Sequence, residues 1–232
     1  MNTAWVLVSD GACSQNPGPG GWGLILSIPG VGVREWGGSE PATTNNRMEL
    51  FGFYRGLQEV FRFSSESASR ELRVISDSKY VLEGAEKNLR NWSTQGWKTR
   101  AGEDVKNRDL WEKILKGQEV LTGLGFRLKY ELVKGHAGSE VNERTDQIAV
   151  RFSRNEPVEL YSGGFENYPI SFRTDEKFEP VYLSWVGGKL GRHRTWDECR
   201  ASVEGKAGAR YKKVKNRLEE RETLENWGVP RI

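Results

Sequence analysis

Four carboxylates in this chain stand at places where ordinary solvation does not explain them together. Asp10 follows the apolar run Trp5-Val6-Leu7-Val8, Glu49 opens a helical pattern over residues 46–63, Asp77 closes a short apolar run at residues 72–75, and Asp146 lies on a helical pattern over residues 141–154. Taken singly, each has a plain alternative. Asp10-Gly11 is a turn dipeptide, Asn46 and Glu49 have capping-box spacing, Asp77 suits a helix N-cap, and Asp146 suits an exposed helix face. Yet Asn16-Pro17-Gly18-Pro19-Gly20-Gly21 already supplies a turn. Asp10 therefore reads as a carboxylate held on a strand, where an uncompensated charge is costly. Four such groups converging above one sheet would repel one another and raise one another's pKa, a state that persists only with cations. Hard oxygen donors in that number suit two Mg²⁺ ions, with Mn²⁺ as a substitute. The matching chemistry is two-metal phosphodiester hydrolysis.

Positioning these groups falls to an alternation of strands and helices. Strand patterns occupy residues 5–13, 22–28 and 31–36, the last two separated by Pro29-Gly30. Apolar residues at 50, 53, 54, 57, 60 and 61 have helical spacing. A strand at 72–75, helices at 78–84 and 105–121, a strand at 126–133 and a helix to 154 follow. The order β-β-β-α-β-α-α-β-α predicts an α/β fold, a mixed five-stranded sheet flanked by helices. Residues 87–100 interrupt the pattern, with Lys87, Arg90, Lys98 and Arg100, no acid, and Trp92 and Trp97 interleaved. Cations that neutralise phosphate and indoles that pack on sugars or bases suit a nucleic acid, although a solvated basic helix with a core tryptophan has the same composition.

Residues 155–179 lack periodicity and read as a linker, with Tyr161, Phe165, Tyr168 and Phe172 available to dock on a neighbouring domain. A second module, residues 180–229, opens with a strand at 181–186, turns at Gly187-Gly188, and continues into a helix with Thr195 and Glu198 at capping-box spacing. Between 181 and 215 stand Lys189, Arg192, Arg194, Arg200, Lys206, Arg210, Lys212, Lys213 and Lys215 against Asp197, Glu198 and Glu204. That local excess suits a polyanion, while the whole chain is nearly balanced at +3. Cys13 and Cys199 lie far apart without metal-type spacing, which fits free thiols in a reducing compartment. There is no apolar run of the ~20 residues a membrane span needs, and the first strand starts close to Met1. The expectation is a cytoplasmic monomer without membrane contact.

Ser9-Asp10-Gly11-Ala12-Cys13, Thr44-Asn45-Asn46-Arg47-Met48-Glu49-Leu50, Ser76-Asp77-Ser78-Lys79-Tyr80-Val81, and Lys134-Gly135-His136-Ala137-Gly138 with Asn142-Glu143-Arg144-Thr145-Asp146 jointly resemble type-1 ribonuclease H over residues 1–154. The resemblance implies the ribonuclease H-like sheet and Asp10, Glu49, Asp77 and Asp146 as metal ligands. It implies His136, in a glycine-flanked loop, as an aid to proton transfer or product release. Beside carboxylates an imidazole favours its charged form, which lets it act as an acid near neutrality. Residues 87–100 match the family's basic protrusion, with Trp92, Trp97 and Lys98 near the DNA strand. Asn16, Asn45 and Asn46 match positions contacting RNA, where an amide can read the 2′-hydroxyl. Thr44 and Asn107 match a pocket for a DNA phosphate. Cys13 is expected beside the RNA rather than as a nucleophile.

The second module resembles the small hybrid-binding domain of such enzymes, through Gly187-Gly188-Lys189-Leu190-Gly191, Thr195-Trp196-Asp197-Glu198-Cys199 and Ala209-Arg210-Tyr211-Lys212-Lys213-Val214. Tyr182, Trp196, Tyr211, Lys212 and Lys213 fall on its nucleic-acid contacts. The module usually precedes the catalytic domain, and here it follows. The implied activity is endonucleolytic hydrolysis of the RNA strand of RNA–DNA hybrids, leaving 5′-phosphate and 3′-hydroxyl ends. The competing expectation is a non-catalytic protein that binds RNA–DNA hybrid, or double-stranded RNA through the C-terminal module, on a relic nuclease fold.

Overall fold

A computed structural model describes residues 3–133, 139–172 and 178–229. They cluster into two compact units, one of residues 3–133 with 144–169, the other of 139–143 with 170–172 and 178–229. The first unit is built on β1 (Trp5–Cys13), whose Trp5, Val6, Leu7 and Val8 are all fully buried. A strand covered on both faces needs a continuous apolar run rather than alternation. β1 pairs antiparallel with β2 (Gly18–Ile28), which pairs with β3 (Gly32–Thr43), and parallel with β4 (Glu71–Ser76), which pairs with β5 (Arg127–Leu132). These are the five expected strands, in the order β5-β4-β1-β2-β3. A sixth, β6 (Ser162–Gly163), joins the edge at Val33 and Arg34 of β3. It comes from the stretch read as a linker, and two residues are too short to show any strand periodicity.

The two faces are divided by the alternation along β1. Gly11 faces α1 (Asn45–Arg62): a Cβ there would sit 2.6 Å from the Met48 carbonyl carbon and closer still to the Glu49 nitrogen. Asp10 points to the other face, as does its cross-strand partner Gly23. A Cβ on Gly23 would strike the Thr145 carbonyl of α5 (Glu140–Ser153), and Gly21 and Gly37 are pressed equally by Ala149 and Phe152. Glycines thus floor the seat of α5. On the α1 face, Leu50, Phe53, Leu57 and Val60 pack against the sheet and α4 (Arg108–Gly123), whose Leu110, Trp111, Ile114 and Leu121 are buried. Between α1 and α4 in the chain come β4, α2 (Lys79–Glu83), a π-helical turn at Gly84–Asn88 and α3 (Leu89–Thr94).

In the second unit β7 (Val181–Val186) lies between β8 (Lys189–His193) and β9 (Arg210–Val214) in an antiparallel sheet, with α6 (Trp196–Val203) and α7 (Arg217–Trp227). The expected capping box is present: Thr195 accepts from Glu198 N, and Glu198 accepts from the Thr195 backbone. Leu183, Cys199, Val203 and Val214 are buried apolar residues of these elements.

The Gly11 approach is testable. Gly11→Ala should lower stability by about 1–3 kcal/mol, the usual cost of overpacking, measured as a shift in the urea midpoint at unchanged m-value. A midpoint equal to the parent's would mean that α1 retreats from β1 without cost.

Candidate active site

Asp10 is only 6% exposed, and its Oδ1 accepts a 2.7 Å hydrogen bond from Gly11 N. The parallel pairing of β1 with β4 ends at Val8 and Ile75, and Asp10 and Asp77 lie two residues beyond each. Two neighbouring parallel strands therefore deliver their carboxylates at the same level, just past the end of their shared pairing. α5 brings Asp146, the residue after Thr145, whose carbonyl rests over the strand partner of Asp10. Burial, then the negative charges of Asp77 and Asp146 and finally Glu49, push the Asp10 carboxyl well above its ordinary range, against a smaller lowering by the Gly11 amide. Asp77, Asp146 and Glu49 are all within electrostatic reach of Asp10, and Asp77 is within reach of Glu49.

Glu49 does not cap its own helix. The N-cap of α1 is Thr44, whose side chain makes no capping bond, so the capping-box alternative fails. Glu49 Oε1 instead accepts from Asn45 Nδ2 at 2.8 Å and Oε2 from Ser78 Oγ at 2.7 Å. Burial raises its pKa, with Asp77 adding to the rise, while the Ser78 and Asn45 bonds oppose it. Ser78 was not anticipated. It, rather than Asp77, caps α2, accepting from Val81 N at 3.3 Å. Asp77 is thereby released from the capping role that its place at the end of a strand suggested. A serine beside an aspartate at a helix start was the available signal.

The donor set fits divalent cations: four carboxylates, two of them with raised pKa, offer hard oxygens and too much negative charge for one place. Among the described residues no three acidic, histidine or cysteine side chains form a ready-made cage. An ion such as Mg²⁺ keeps several waters and takes one or two carboxylates with substrate phosphates. His136 lies outside the described residues.

Around the acids, Asn16 Oδ1 accepts from Asn45 N at 3.2 Å, which links two of the asparagines expected at RNA to the Glu49 bond of Asn45. Asn46 is exposed and Thr44 half-buried beside them. Cys13 Sγ donates to the Gln15 carbonyl at 2.9 Å, with Thr43 O and Gly18 O further off, tying the Asn16 loop to the end of β3. Asn107, left-handed at φ 59°, caps α4 through its backbone and donates its amide to Tyr80 Oη at 3.1 Å. Arg47, given no role by the sequence, reaches Asn107 Oδ1 at 3.4 Å and holds Asp109 bidentately at 2.9 and 2.8 Å.

The basic protrusion differs from expectation at one tryptophan. Trp97 is 7% exposed and left-handed at φ 63°, with the Arg108 guanidinium 5.5 Å from its ring centroid. Its indole fixes the turn after α3, and little of its face is left for a ligand. Burying so large a ring offsets a backbone strain of ~1–3 kcal/mol. Trp92 packs edge-on to Trp111 at 5.5 Å and remains half-buried. Lys98 stays at the surface in a 2.7 Å pair with Asp104.

In the second unit Trp196 stands between Tyr182 and Tyr211, at 5.8 and 5.1 Å between ring centroids, and Trp196 and Tyr211 are 38% and 55% exposed. Lys213 pairs across the sheet with Tyr182 and places its ammonium 5.1 Å from that ring. Lys212 is one residue along β9, so it points to the opposite face, where it meets Glu219 of α7 at 3.3 Å. The two lysines are therefore not equivalent.

A family model described as RNase H matches residues 2–154. The ribonuclease H of Pseudomonas savastanoi pv. phaseolicola is 46% identical over 151 residues, which cover 65% of this chain and 93% of the relative. That of Prochlorococcus marinus strain NATL1A is 42% identical over 157 residues, covering 68% and 92%. Among solved structures, LC9-RNase H1, a type 1 RNase H with the type 2 active-site motif, aligns with TM-score 0.54 and 30% identity over 70% of this chain and 79% of its own. The foamy viral protease-reverse transcriptase in complex with RNA/DNA hybrid shares the fold alone, at 15% identity and TM-score 0.53 over 67% of this chain and 21% of the viral one. The chain belongs to the ribonuclease H family. It is a hydrolase, an endonuclease of that family, and the family match stops at residue 154.

The raised Asp10 pKa carries a sign. An acid whose folded pKa exceeds its unfolded value, about 3.9, favours the fold most below that value and progressively less as pH rises through the folded pKa. In EDTA, Asp10→Asn should therefore raise Tm at pH 7–8, with the gain shrinking towards pH 4. A gain that is constant with pH, or a loss at pH 8, would contradict the crowding of charges at Asp10.

Proposed function

We propose that the chain is an endonuclease that hydrolyses the RNA strand of RNA–DNA hybrids with two divalent cations held by Asp10, Glu49, Asp77 and Asp146, leaving 5′-phosphate and 3′-hydroxyl ends. The observation that carries this reading is the buried Asp10 with three further carboxylates raising its pKa. Bound divalent ions would supply the compensating charge and the activation of water that phosphodiester hydrolysis needs. The chain's own part is to fix the donors: β1 and β4 hold two of them rigidly, Ser78 and Asn45 orient Glu49, and α5 delivers Asp146. Asn45, bonded to Asn16 and Glu49 at once, ties the RNA-facing loop to the reacting centre. Asn16, Asn45 and Asn46 contact the RNA strand, Thr44 and Asn107 a DNA phosphate, and His136 assists proton transfer or product release. Mg²⁺ is the expected ion, with Mn²⁺ as a substitute.

Residues 180–229 form a module that binds the hybrid, with 155–179 connecting it to the catalytic domain of residues 1–154. Its binding face is the stack of Tyr182, Trp196 and Tyr211 with Lys213, whose exposed rings and cation suit a sugar–phosphate strand. Lys212 contributes less, since Glu219 engages it on the other face. Both cysteines are free thiols, in keeping with a monomer in a reducing compartment such as the cytoplasm. No helix among the described residues is long and apolar enough to cross a membrane.

Cleavage of an end-labelled RNA–DNA hybrid in Mg²⁺ or EDTA tests the chemistry. Asp77→Asn should abolish Mg²⁺-dependent cleavage at unchanged circular dichroism. Near-parental cleavage by that variant removes Asp77 from the ligand set, and binding without cleavage by the parent would favour the relic-fold alternative. Salt titration of hybrid binding in EDTA tests the module separately. Lys213→Ala should flatten the dependence of log K on log salt by about 0.9, the value for one phosphate on duplex DNA, and Lys212→Ala by clearly less. Equal effects of the two lysines would contradict a single binding face.

A further inference from the structure

We infer that residues 157–168, together with Glu35 and Arg144, form a strap that sets the position of Asp146, so that Glu35, Arg144 and Tyr168 are positioning residues for the metal site. This rests on the assignment of Asp146 as a metal ligand. The seat of α5 creates the need. Gly21, Gly23 and Gly37 let the helix come very close to β2 and β3. A floor without side chains, however, offers few ridges to lock the helix along its axis or about it. A shift of one residue moves a helical side chain by about 1.5 Å and turns it by about 100°.

The lock lies at the edge of that floor. Arg144 donates from Nε and Nη2 to the two oxygens of Glu35 on β3 at 3.0 and 2.8 Å. The side chains are 17% and 1% exposed. The same carboxylate accepts from Tyr161 N at 3.1 Å and Tyr168 Oη at 2.9 Å, while Glu35 N donates to the Tyr161 carbonyl at 2.8 Å. Arg144 also reaches the Glu159 carbonyl at 2.6 Å, Arg151 the Pro157 carbonyl at 2.9 Å, and Arg34 the Ser162 hydroxyl at 2.9 Å. Tyr161 and Tyr168 pack ring to ring, tilted by 52°, at 4.9 Å between centroids. One buried carboxylate thus joins strand, helix and strap. Arg144 and Asp146 flank Thr145, whose carbonyl lies over the partner of Asp10. The chain after α5 is in this way part of the support of the acid cluster as well as a connection to the second unit.

The test uses the full-length protein in four forms: Glu35→Gln, Tyr168→Phe, residues 157–168 replaced by a Gly/Ser sequence of equal length, and Asp146→Asn. Three quantities are read: the Mg²⁺ concentration giving half of the Mg²⁺-induced rise in Tm, hydrogen exchange of residues 144–153 in EDTA, and kcat and KM on hybrid. The strap replacement should raise the Mg²⁺ midpoint roughly 10-fold, the low end for loss of a ligand's supporting partners. It should speed exchange in 144–153 but not in β1 or β4, and lower kcat at limiting Mg²⁺ with recovery at high Mg²⁺ and KM unchanged. Glu35→Gln and Tyr168→Phe should shift the midpoint the same way by smaller factors. If the replacement does not fold, Tyr168→Phe, which loses a single hydroxyl, decides. An unmoved Mg²⁺ midpoint in the strap variants, or a loss of Tm alone, overturns the inference when Asp146→Asn does move it. An unmoved midpoint in Asp146→Asn overturns the ligand assignment instead.

Discussion

The structure of the first unit depends on holding like charges together in a place largely closed to water. Asp10 is almost fully buried, and three acids from three other elements raise its pKa. Nothing in local propensity favours that arrangement. It is imposed by long-range features: the parallel register that sets Asp10 level with Asp77, the absent side chain at Gly11 that admits the first turn of α1, and the glycine floor that admits α5. The apolar core of β1, β2, α1 and α4 provides the free energy that keeps these elements in place against the repulsion. Repulsion of this kind is balanced by folding elsewhere in the molecule. On the proposed assignment a bound divalent cation would relieve it, and metal affinity and the instability of the metal-free cluster would have the same origin.

Much of this was legible in the sequence because it is carried by patterns of the right length. The buried run before Asp10, the helical spacing of residues 50–61 and the short run before Asp77 each announce an element that tertiary packing then respects. The four acids stand out for a different reason, since they come from a strand, a helix start, a strand end and a later helix rather than from one run. What failed was local. Asn46 and Glu49 have capping-box spacing, but the true N-cap is Thr44 and Glu49 turns to Ser78, a partner twenty-nine positions away. Trp97 reads as a nucleic-acid contact because its neighbours are basic, while its burial goes with a left-handed turn that composition does not reveal. The strap was invisible because β6 is two residues long and its anchor, Glu35, is one charged residue in a strand.

The ion pairs of the first unit divide by burial, and the division follows their distance from water. Lys98 with Asp104 and Arg47 with Asp109 are at or near the surface, where an ion pair contributes little and is screened by salt. They flank the segments that the proposed function sets against the DNA strand, where weak pairs would let both cations exchange a carboxylate for a phosphate at small cost. In the pair of Arg144 with Glu35 the carboxylate is buried and the arginine half-buried, and breaking such a pair leaves an uncompensated charge away from water. That makes it unsuited to exchange and suited to fixing geometry, above all on a helix whose seat is smooth. The same chemical pairing, arginine or lysine with a carboxylate, thus does opposite work at the two places. On the proposed substrate side exposure would keep it replaceable, and on the proposed support side burial would make it permanent.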